Sequence, residues 1–130
     1  MDILDVLPHR PPFIMVDKIV ETGPTWVKGY KLITWNEWFI SETTPYMPCS
    51  LIIEALAQMI AFISLEEKGI AFLSTLKNFE MHSLARPGDR LDLYFEMTKR
   101  RKGYFLGRGT ATVEDRVVVK GEEIVAFMQS

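Results

Sequence analysis

The feature that most constrains this chain is an apolar stretch at 51–65, which reads LIIEALAQMIAFISL. The stretch includes polar residues and is shorter than the roughly 18 to 20 apolar residues that cross a bilayer. Pro48 before it and Gly69 after it are typical of helix entry and helix exit, so the sequence predicts a helix at about 49–68. Apolar residues occupy every face of that helix, and such a helix must be surrounded by protein.

Strand-like segments rich in β-branched and aromatic residues supply the surrounding protein. The predicted order places one helix between the second and third strands. This order is typical of an α+β domain, in which an antiparallel sheet packs against a helix. We therefore expect one domain over 1–130, with a curled antiparallel sheet of five to six strands wrapped around one long central helix. A short helical turn is expected at 2–7. The predicted strands lie at 13–20, 25–34, about 71–82, from Leu91 to Met97, and at 104–113 and 117–128.

Composition excludes several classes of protein. Apolar residues at 48% and charged residues at 25% are typical of an ordinary globular protein. A formal net charge of -2 gives no electrostatic reason to bind nucleic acid. Cys49 is the single cysteine, and the N-terminus lacks the basic flank and long apolar core of a signal peptide. We expect a cytoplasmic protein with no nucleic acid partner and no membrane span.

Glu54 and Gln58 stand four residues apart on the predicted helix, so they share one face. A carboxyl group buried away from water holds its proton more readily, which suits a proton donor. The same pattern also fits a structural role, in which Glu54 pairs with an arginine such as Arg10 or lies at a dimer interface. The residue pattern alone leaves both interpretations open.

Upstream of these residues, Pro48, Cys49 and Ser50 begin the predicted helix. Backbone N–H groups are free at a helix N-terminus, and the helix dipole there favours developing negative charge, so the carbonyl oxygen of a thioester could bind. Cys49 could also be a thiolate nucleophile, because helix N-termini lower the pKa of cysteine. A small buried cysteine is the more common arrangement.

His9 lies between prolines that hold the segment extended and fix the direction of the imidazole. It could act as a general base or hydrogen-bond a loop carbonyl. His82 is expected to be structural. The sequence has no zinc-site spacing and no glycine-rich phosphate loop, so neither a metal nor a cofactor is expected. The basic run 99–102 is typical of a solvated hairpin tip, although it could attract an acidic partner.

Three segments together resemble the FabA/FabZ-type 3-hydroxyacyl-[acyl carrier protein] dehydratases. Residues 7–19 (LPHRPPFIMVDKI) are similar to the family signature LPHRYPFLLVDR, and residues 47–58 (MPCSLIIEALAQ) to its helix MPGVLIIEAMAQ. Residues 87–91 (PGDRL) match its PGDxL strand entry. The resemblance covers nearly the whole chain and implies the hot-dog fold, which forms a dimer.

The resemblance implies that Glu54 is the catalytic carboxyl group, which acts with a histidine from the preceding loop across the dimer interface. Here the loop 36–48 reads NEWFISETTPYMP, about two residues shorter than in the family and without histidine. The family's glycine at the helix start is Cys49, and the tyrosine of its Arg-Tyr-Pro gate is Pro11. Dehydratase-like proteins of aryl-polyene-type pathways look similar, with an altered loop.

Three functions fit this pattern. In the first, His9 is the base opposite Glu54, the N–H groups of Cys49 or Ser50 hold the thioester carbonyl after Pro48, and Gln58 orients Glu54 or the loop. In the second, the chain is a noncatalytic subunit that completes a heterodimer or binds acyl carrier protein. In the third, it is an acyl thioesterase. The expected partners are an acyl carrier protein or coenzyme A thioester and a second copy of the chain in a homodimer, with a higher assembly or heterodimer as alternatives.

Overall fold

The fold is seen in a computed structural model that describes residues 2–8, 10–63 and 70–129. A single-turn helix opens the chain, as expected, and the order of the later elements is that of the predicted α+β arrangement. A 3-10 turn at Ile60–Phe62 follows the central helix. The elements are α1 (Ile3–Val6), β1 (Lys18–Thr22), β2 (Trp26–Leu32), α2 (Cys49–Met59), β3 (Ile70–Met81), β4 (Arg90–Arg101), β5 (Tyr104–Val113) and β6 (Arg116–Gln129).

All strand pairs in the sheet are antiparallel, and the strand order is β1-β2-β4-β5-β6-β3. This curled sheet packs its inner face against α2, which confirms the predicted fold class. Glycines allow the close approach of helix and sheet. A Cβ atom at Gly109 would lie 3.3 Å from Leu56 Cδ1, and one at Gly29 would lie 3.0 Å from Met59 Cε. The strands therefore bring α2 close to the centre of the sheet.

The two faces of α2 differ in burial. Ile52, Leu56 and Met59 are fully buried against the sheet. On the opposite face, Glu54 is only partly buried and Ala61, just beyond the helix, is exposed. The single chain therefore covers the helix unevenly, because several residues on the Glu54 face are only partly buried.

The central helix ends earlier than predicted. Its α-helical part stops at Met59, the 3-10 turn follows, and Ile63 is extended, with φ -72° and ψ 134°. A 3-10 turn satisfies the last carbonyl groups of a helix, and here it also turns the buried Phe62 and Ile63 side chains into the core. The remainder of the predicted helix, at 64–68, lies outside the described residues. Within the described ranges, no helix has the length and apolarity of a membrane span.

The first strand is shorter than the predicted 13–20, because β1 begins at Lys18. The backbone of Phe13 and Met15 hydrogen-bonds the side chain of Gln58 on α2 instead of a neighbouring strand. The pattern of apolar residues indicated a strand. The buried amide of Gln58 instead forms the hydrogen bonds that Phe13 and Met15 would have made to a neighbouring strand. Phe13 and Met15 are therefore tied to the helix, and the segment 13–17 joins β2 at Asp17, whose N–H donates to the Tyr30 carbonyl at 2.9 Å.

The basic run 99–102 is exposed, as expected of a hairpin end. Its first three residues belong to β4, since Arg100 pairs with Phe105 and Arg101 pairs with Tyr104 across the ladder. The turn itself is limited to Lys102 and Gly103, whose φ of 84° suits glycine. The sequence therefore located the hairpin correctly but placed its turn too early.

Candidate active site

Gln58 is the centre of the candidate site. Its side chain is 2% exposed, and all of its polar atoms have protein partners. The amide oxygen Oε1 accepts a hydrogen bond from the Met15 N–H at 2.8 Å, and Nε2 donates to the Phe13 carbonyl at 2.8 Å. Nε2 also donates to Glu54 Oε1 at 3.1 Å. The amide orientation follows from these partners, because the oxygen faces a donor and the nitrogen faces acceptors.

Glu54 lies one helical turn before Gln58, so the two side chains meet on the face of α2 that is not against the sheet. The Oε1 atom of Glu54 therefore accepts a hydrogen bond from the next turn of its own helix. The sequence predicted this pair, and the structure brings it together. Arg10, the alternative partner, donates to the carbonyls of Leu7 at 2.8 Å and Leu4 at 3.2 Å.

The N-terminus of α2 lies one turn before Glu54. Pro48 is the N-cap, with φ -59° and ψ 144°, and its carbonyl accepts from the N–H groups of Leu51 and Ile52. The N–H groups of Cys49 and Ser50 belong to the first turn, where an α-helix offers no internal acceptor. Ser50 and Glu54 are four residues apart, so the start of the helix and the carboxyl group share a face. One helix can therefore both bind an oxyanion, through its first N–H groups, and carry a proton donor.

Cys49 is partly buried at this helix start. Burial raises the pKa of its thiol above the ordinary value, because a thiolate loses hydration there. This shift opposes the thiolate nucleophile hypothesis and agrees with the alternative of a small, partly buried cysteine.

His9 lies outside the described residues, so its distance from Glu54 stays a prediction. His82 follows β3, and its Nε2 atom lies 3.1 Å from Glu80 Oε2 on an exposed part of the surface. This position agrees with the structural role expected for His82. Among the described residues, the candidate site thus contains Glu54, Gln58 and the start of α2.

Sequence reasoning missed a buried cation beside the site. Lys31 on β2 is 6% exposed, and its Nζ atom lies 3.0 Å from Glu37 Oε2 and 3.5 Å from Asp17 Oδ2. The alternation of β2 offered a signal, since Lys31 falls on the same inward face as Val27 and Gly29. A lysine at an inward position of a strand indicates a charge that needs partners.

Trp38 was also missed, because nothing in the sequence of the loop 36–48 marks it. Its ring is 58% exposed, and its Nε1 atom donates a hydrogen bond to the Pro12 carbonyl at 3.1 Å. Pro12 immediately precedes Phe13, whose carbonyl binds Gln58. The loop after β2 and the segment beside the helix are therefore joined next to the candidate site.

Comparison with known proteins assigns the class. A family model described as FabA-like domain matches residues 7–122. The chain therefore belongs to the family of FabA-like proteins, and the resemblance of its three motifs is confirmed.

Particular relatives refine this assignment. The uncharacterized protein YcsD of Bacillus subtilis is 44% identical over 118 residues, covering 89% of this chain and 91% of the relative. The 3-hydroxyacyl-[acyl-carrier-protein] dehydratase FabZ of Clostridium tetani is 42% identical, covering 98% of this chain and 94% of the enzyme. The relatives of this chain thus include 3-hydroxyacyl-[acyl-carrier-protein] dehydratases.

Solved structures agree on the fold. A chain of the dehydratase heterocomplex ApeI:P from Xenorhabdus doucetiae superposes with a TM-score of 0.86 at 15% identity, covering 100% of this chain and 92% of that chain. At this identity the match supports the hot-dog fold alone.

Proposed function

We propose that this protein removes water from a 3-hydroxyacyl thioester carried on acyl carrier protein, giving the 2-enoyl thioester. The observation that carries the proposal is the hydrogen bond from Gln58 to Glu54 on the family's catalytic helix. Gln58 is at the same time fixed to the backbone of Phe13 and Met15. The carboxyl group is therefore held in one orientation by a buried amide that cannot itself turn.

In the first step, the thioester carbonyl binds at the start of α2. The N–H groups of Cys49 or Ser50 donate to its oxygen while a base removes a proton from C2. The electron pair moves towards the carbonyl oxygen, and the fixed N–H donors and the helix dipole stabilise the negative charge that develops there. Pro48 contributes by starting the helix where the carbonyl must lie.

In the second step, Glu54 donates its proton to the hydroxyl group on C3. The bond between C3 and oxygen breaks, water leaves, and the electron pair from C2 forms the double bond. Glu54 becomes a carboxylate, and Gln58 continues to donate to its Oε1 atom. The proton taken by the base returns to Glu54 through water before the next turnover, so the cycle balances.

We assign the role of base to His9. The loop 36–48 contains no histidine, while His9 lies in the segment that leads into Phe13 and hence to Gln58. Proline neighbours restrict its backbone, which limits the directions the imidazole can take. A neutral imidazole accepts a proton near neutral pH, as this step requires.

A second copy of the chain is proposed to complete the site. The face of α2 that carries Glu54 also carries Ile53 and Ala57, which are only partly buried, and, beyond the helix, the exposed Ala61. Apolar residues on this open face favour burial against another subunit. A homodimer would place Glu54 at the interface, where the base can come from either subunit.

A noncatalytic partner subunit is the second candidate function. The observation in its favour is the loop without histidine, together with a fold match to a chain of a heterocomplex. Such a subunit would bind acyl carrier protein and complete another chain's site. The third candidate function is hydrolysis of the thioester, in which Glu54 activates water.

One incubation separates these functions. The purified protein is mixed with a 3-hydroxyacyl thioester on acyl carrier protein, and the carrier is analysed by mass spectrometry, with Glu54→Gln as control. Loss of water that disappears in Glu54→Gln is the expected result. Release of the free acid would identify a thioesterase, and an unchanged carrier that still binds the protein would identify the partner subunit.

A further inference from the structure

Lys31 and Gln58 are the buried polar side chains among the described residues, and both act on one segment. Gln58 holds the front of the segment 13–17 through Phe13 and Met15. Lys31 holds its end, where Asp17 Oδ2 also accepts from the Leu32 N–H at 2.7 Å. The segment beside the catalytic helix is therefore fixed at both ends by buried groups.

Lys31 also reaches the loop that follows β2. Glu37 Oε2 accepts from Lys31 Nζ at 3.0 Å and from the Thr34 N–H at 3.2 Å, so the first turn of the loop closes around the carboxylate. The Glu37 side chain is 17% exposed and that of Lys31 is 8% exposed. A charge pair with this little hydration is hard to separate, because the Glu37 carboxylate would lose its cation while remaining largely buried.

The loop returns to the same segment through the next residue. Trp38 donates to the Pro12 carbonyl, and Pro12 precedes the residue that Gln58 holds. The contacts thus form a closed circuit from Lys31 to Glu37, through Trp38 to Pro12 and Phe13, and back along the segment to Asp17. This circuit connects the loop 36–48 to the segment whose Phe13 carbonyl binds Gln58, and Gln58 in turn binds Glu54.

We propose that Lys31 is a positioning residue for dehydration, which locks the loop 36–48 to the segment 13–17 through Glu37 and Asp17. The proposal rests on the proposed function. Lys31 does not contact the reacting atoms, and it acts by keeping the loop and the segment in register with the carboxyl group. This role explains why Lys31 is buried, because its single charge contacts two carboxylates at once.

The test uses Glu37→Ala and its matched control Glu42→Ala, an exposed glutamate of the same loop. Glu37→Ala should lower kcat roughly ten- to hundredfold with little change in KM, because the substrate binds but is held out of alignment. Glu42→Ala should match the wild type. Circular dichroism at the assay temperature checks that both variants are folded.

A second readout does not depend on activity. Limited digestion with chymotrypsin, which cuts after aromatic residues, should cleave Glu37→Ala within 36–48 faster than it cleaves Glu42→Ala. Lys31→Met should have the same effect if it folds, and the double variant with Glu37→Ala should lose no more kcat than either single variant, since both break one link.

The outcomes separate this proposal from the proposed function. If the wild-type protein forms no enoyl product, the dehydratase proposal fails while the digestion still decides whether Lys31 and Glu37 hold the loop. Equal kcat and equal digestion for Glu37→Ala and Glu42→Ala would overturn the positioning role. Faster digestion with unchanged kcat in an active enzyme would also overturn it, because the loop would then be held without consequence for the reaction.

Discussion

The helix and the loop that precedes it differ in how much of the family pattern they retain. On α2, Glu54 and Gln58 keep both their sequence motif and a complete set of contacts. The loop 36–48 has lost the histidine, yet it is tied down by Glu37 and Trp38. The difference teaches that the contacts of Glu54 are provided by its own helix and the segment beside it, so they do not depend on a histidine in the loop. Each prediction below tests one side of this contrast.

The largest effect is expected on the helix side. Glu54→Gln keeps the shape of the side chain but cannot donate a proton to the leaving hydroxyl group, so hydration of a short enoyl thioester should slow about a thousandfold. The rate is followed as the loss of the conjugated enoyl absorbance. Turnover near the wild-type level in a folded Glu54→Gln protein would remove Glu54 from the mechanism.

The start of the helix can be tested through its backbone. Cys49→Pro removes the N–H at the first helical position, where proline is tolerated, and the extended Pro48 before it is compatible with a following proline. If this N–H holds the oxyanion, kcat should fall about a hundredfold. If kcat is unchanged in Cys49→Pro, the donor is Ser50.

Cys49→Ala is the matched control, since it removes only the thiol and should leave kcat unchanged. In the wild type, burial raises the pKa of the Cys49 thiol, so alkylation by iodoacetamide should be slow at neutral pH and speed up as the pH rises. A strong loss of activity in Cys49→Ala would restore the nucleophile hypothesis.

His9→Ala tests whether His9 provides the base that the loop 36–48 lacks. If His9 replaces the missing base, hydration should slow roughly tenfold to a hundredfold, since base catalysis is lost while Glu54 and the oxyanion donors remain. Stopped-flow measurement of the enoyl absorbance gives the rate. An unchanged rate in His9→Ala beside an inactive Glu54→Gln would show that the base lies elsewhere.

The smallest effect on rate is expected when only the side chain that orients Glu54 is changed. Gln58→Leu leaves the Phe13 carbonyl and the Met15 N–H without partners, which should lower the free energy of unfolding by about 1–3 kcal/mol. The rate should fall about tenfold, because Glu54 loses a contact that orients it. Urea unfolding and the hydration assay on one preparation separate the two effects, and full stability in Gln58→Leu would contradict the role given to the amide.

Much of the fold followed from periodicity, because helix and strand patterns are local properties of the sequence. The Leu91 to Met97 alternation predicted β4, and the apolar stretch predicted α2. Residues 13–17 were wrongly assigned to a strand, since the backbone of Phe13 and Met15 bonds the side chain of Gln58, far along the chain. Contacts of this kind depend on tertiary structure and leave no periodic signal.

The candidate site was predicted unevenly for the same reason. Glu54 and Gln58 could be paired from their spacing on one helix. The link between Lys31, Asp17 and Glu37 joins three segments, and only the inward position of Lys31 on β2 pointed to it. The role of His9 was inferred from the family pattern and stays a prediction.

The measurement that tests the central claim most directly is a crystal structure of the protein with an enoyl amide of pantetheine, an unreactive analogue of the product thioester. The account predicts that the analogue's carbonyl oxygen accepts a hydrogen bond from the N–H of Cys49 or Ser50. It also predicts that C3 lies within roughly 3–3.5 Å of a Glu54 oxygen, while Gln58 holds the other oxygen. A bound analogue with C3 remote from Glu54 in both subunits, or an acyl site filled by side chains of the protein, would contradict the account.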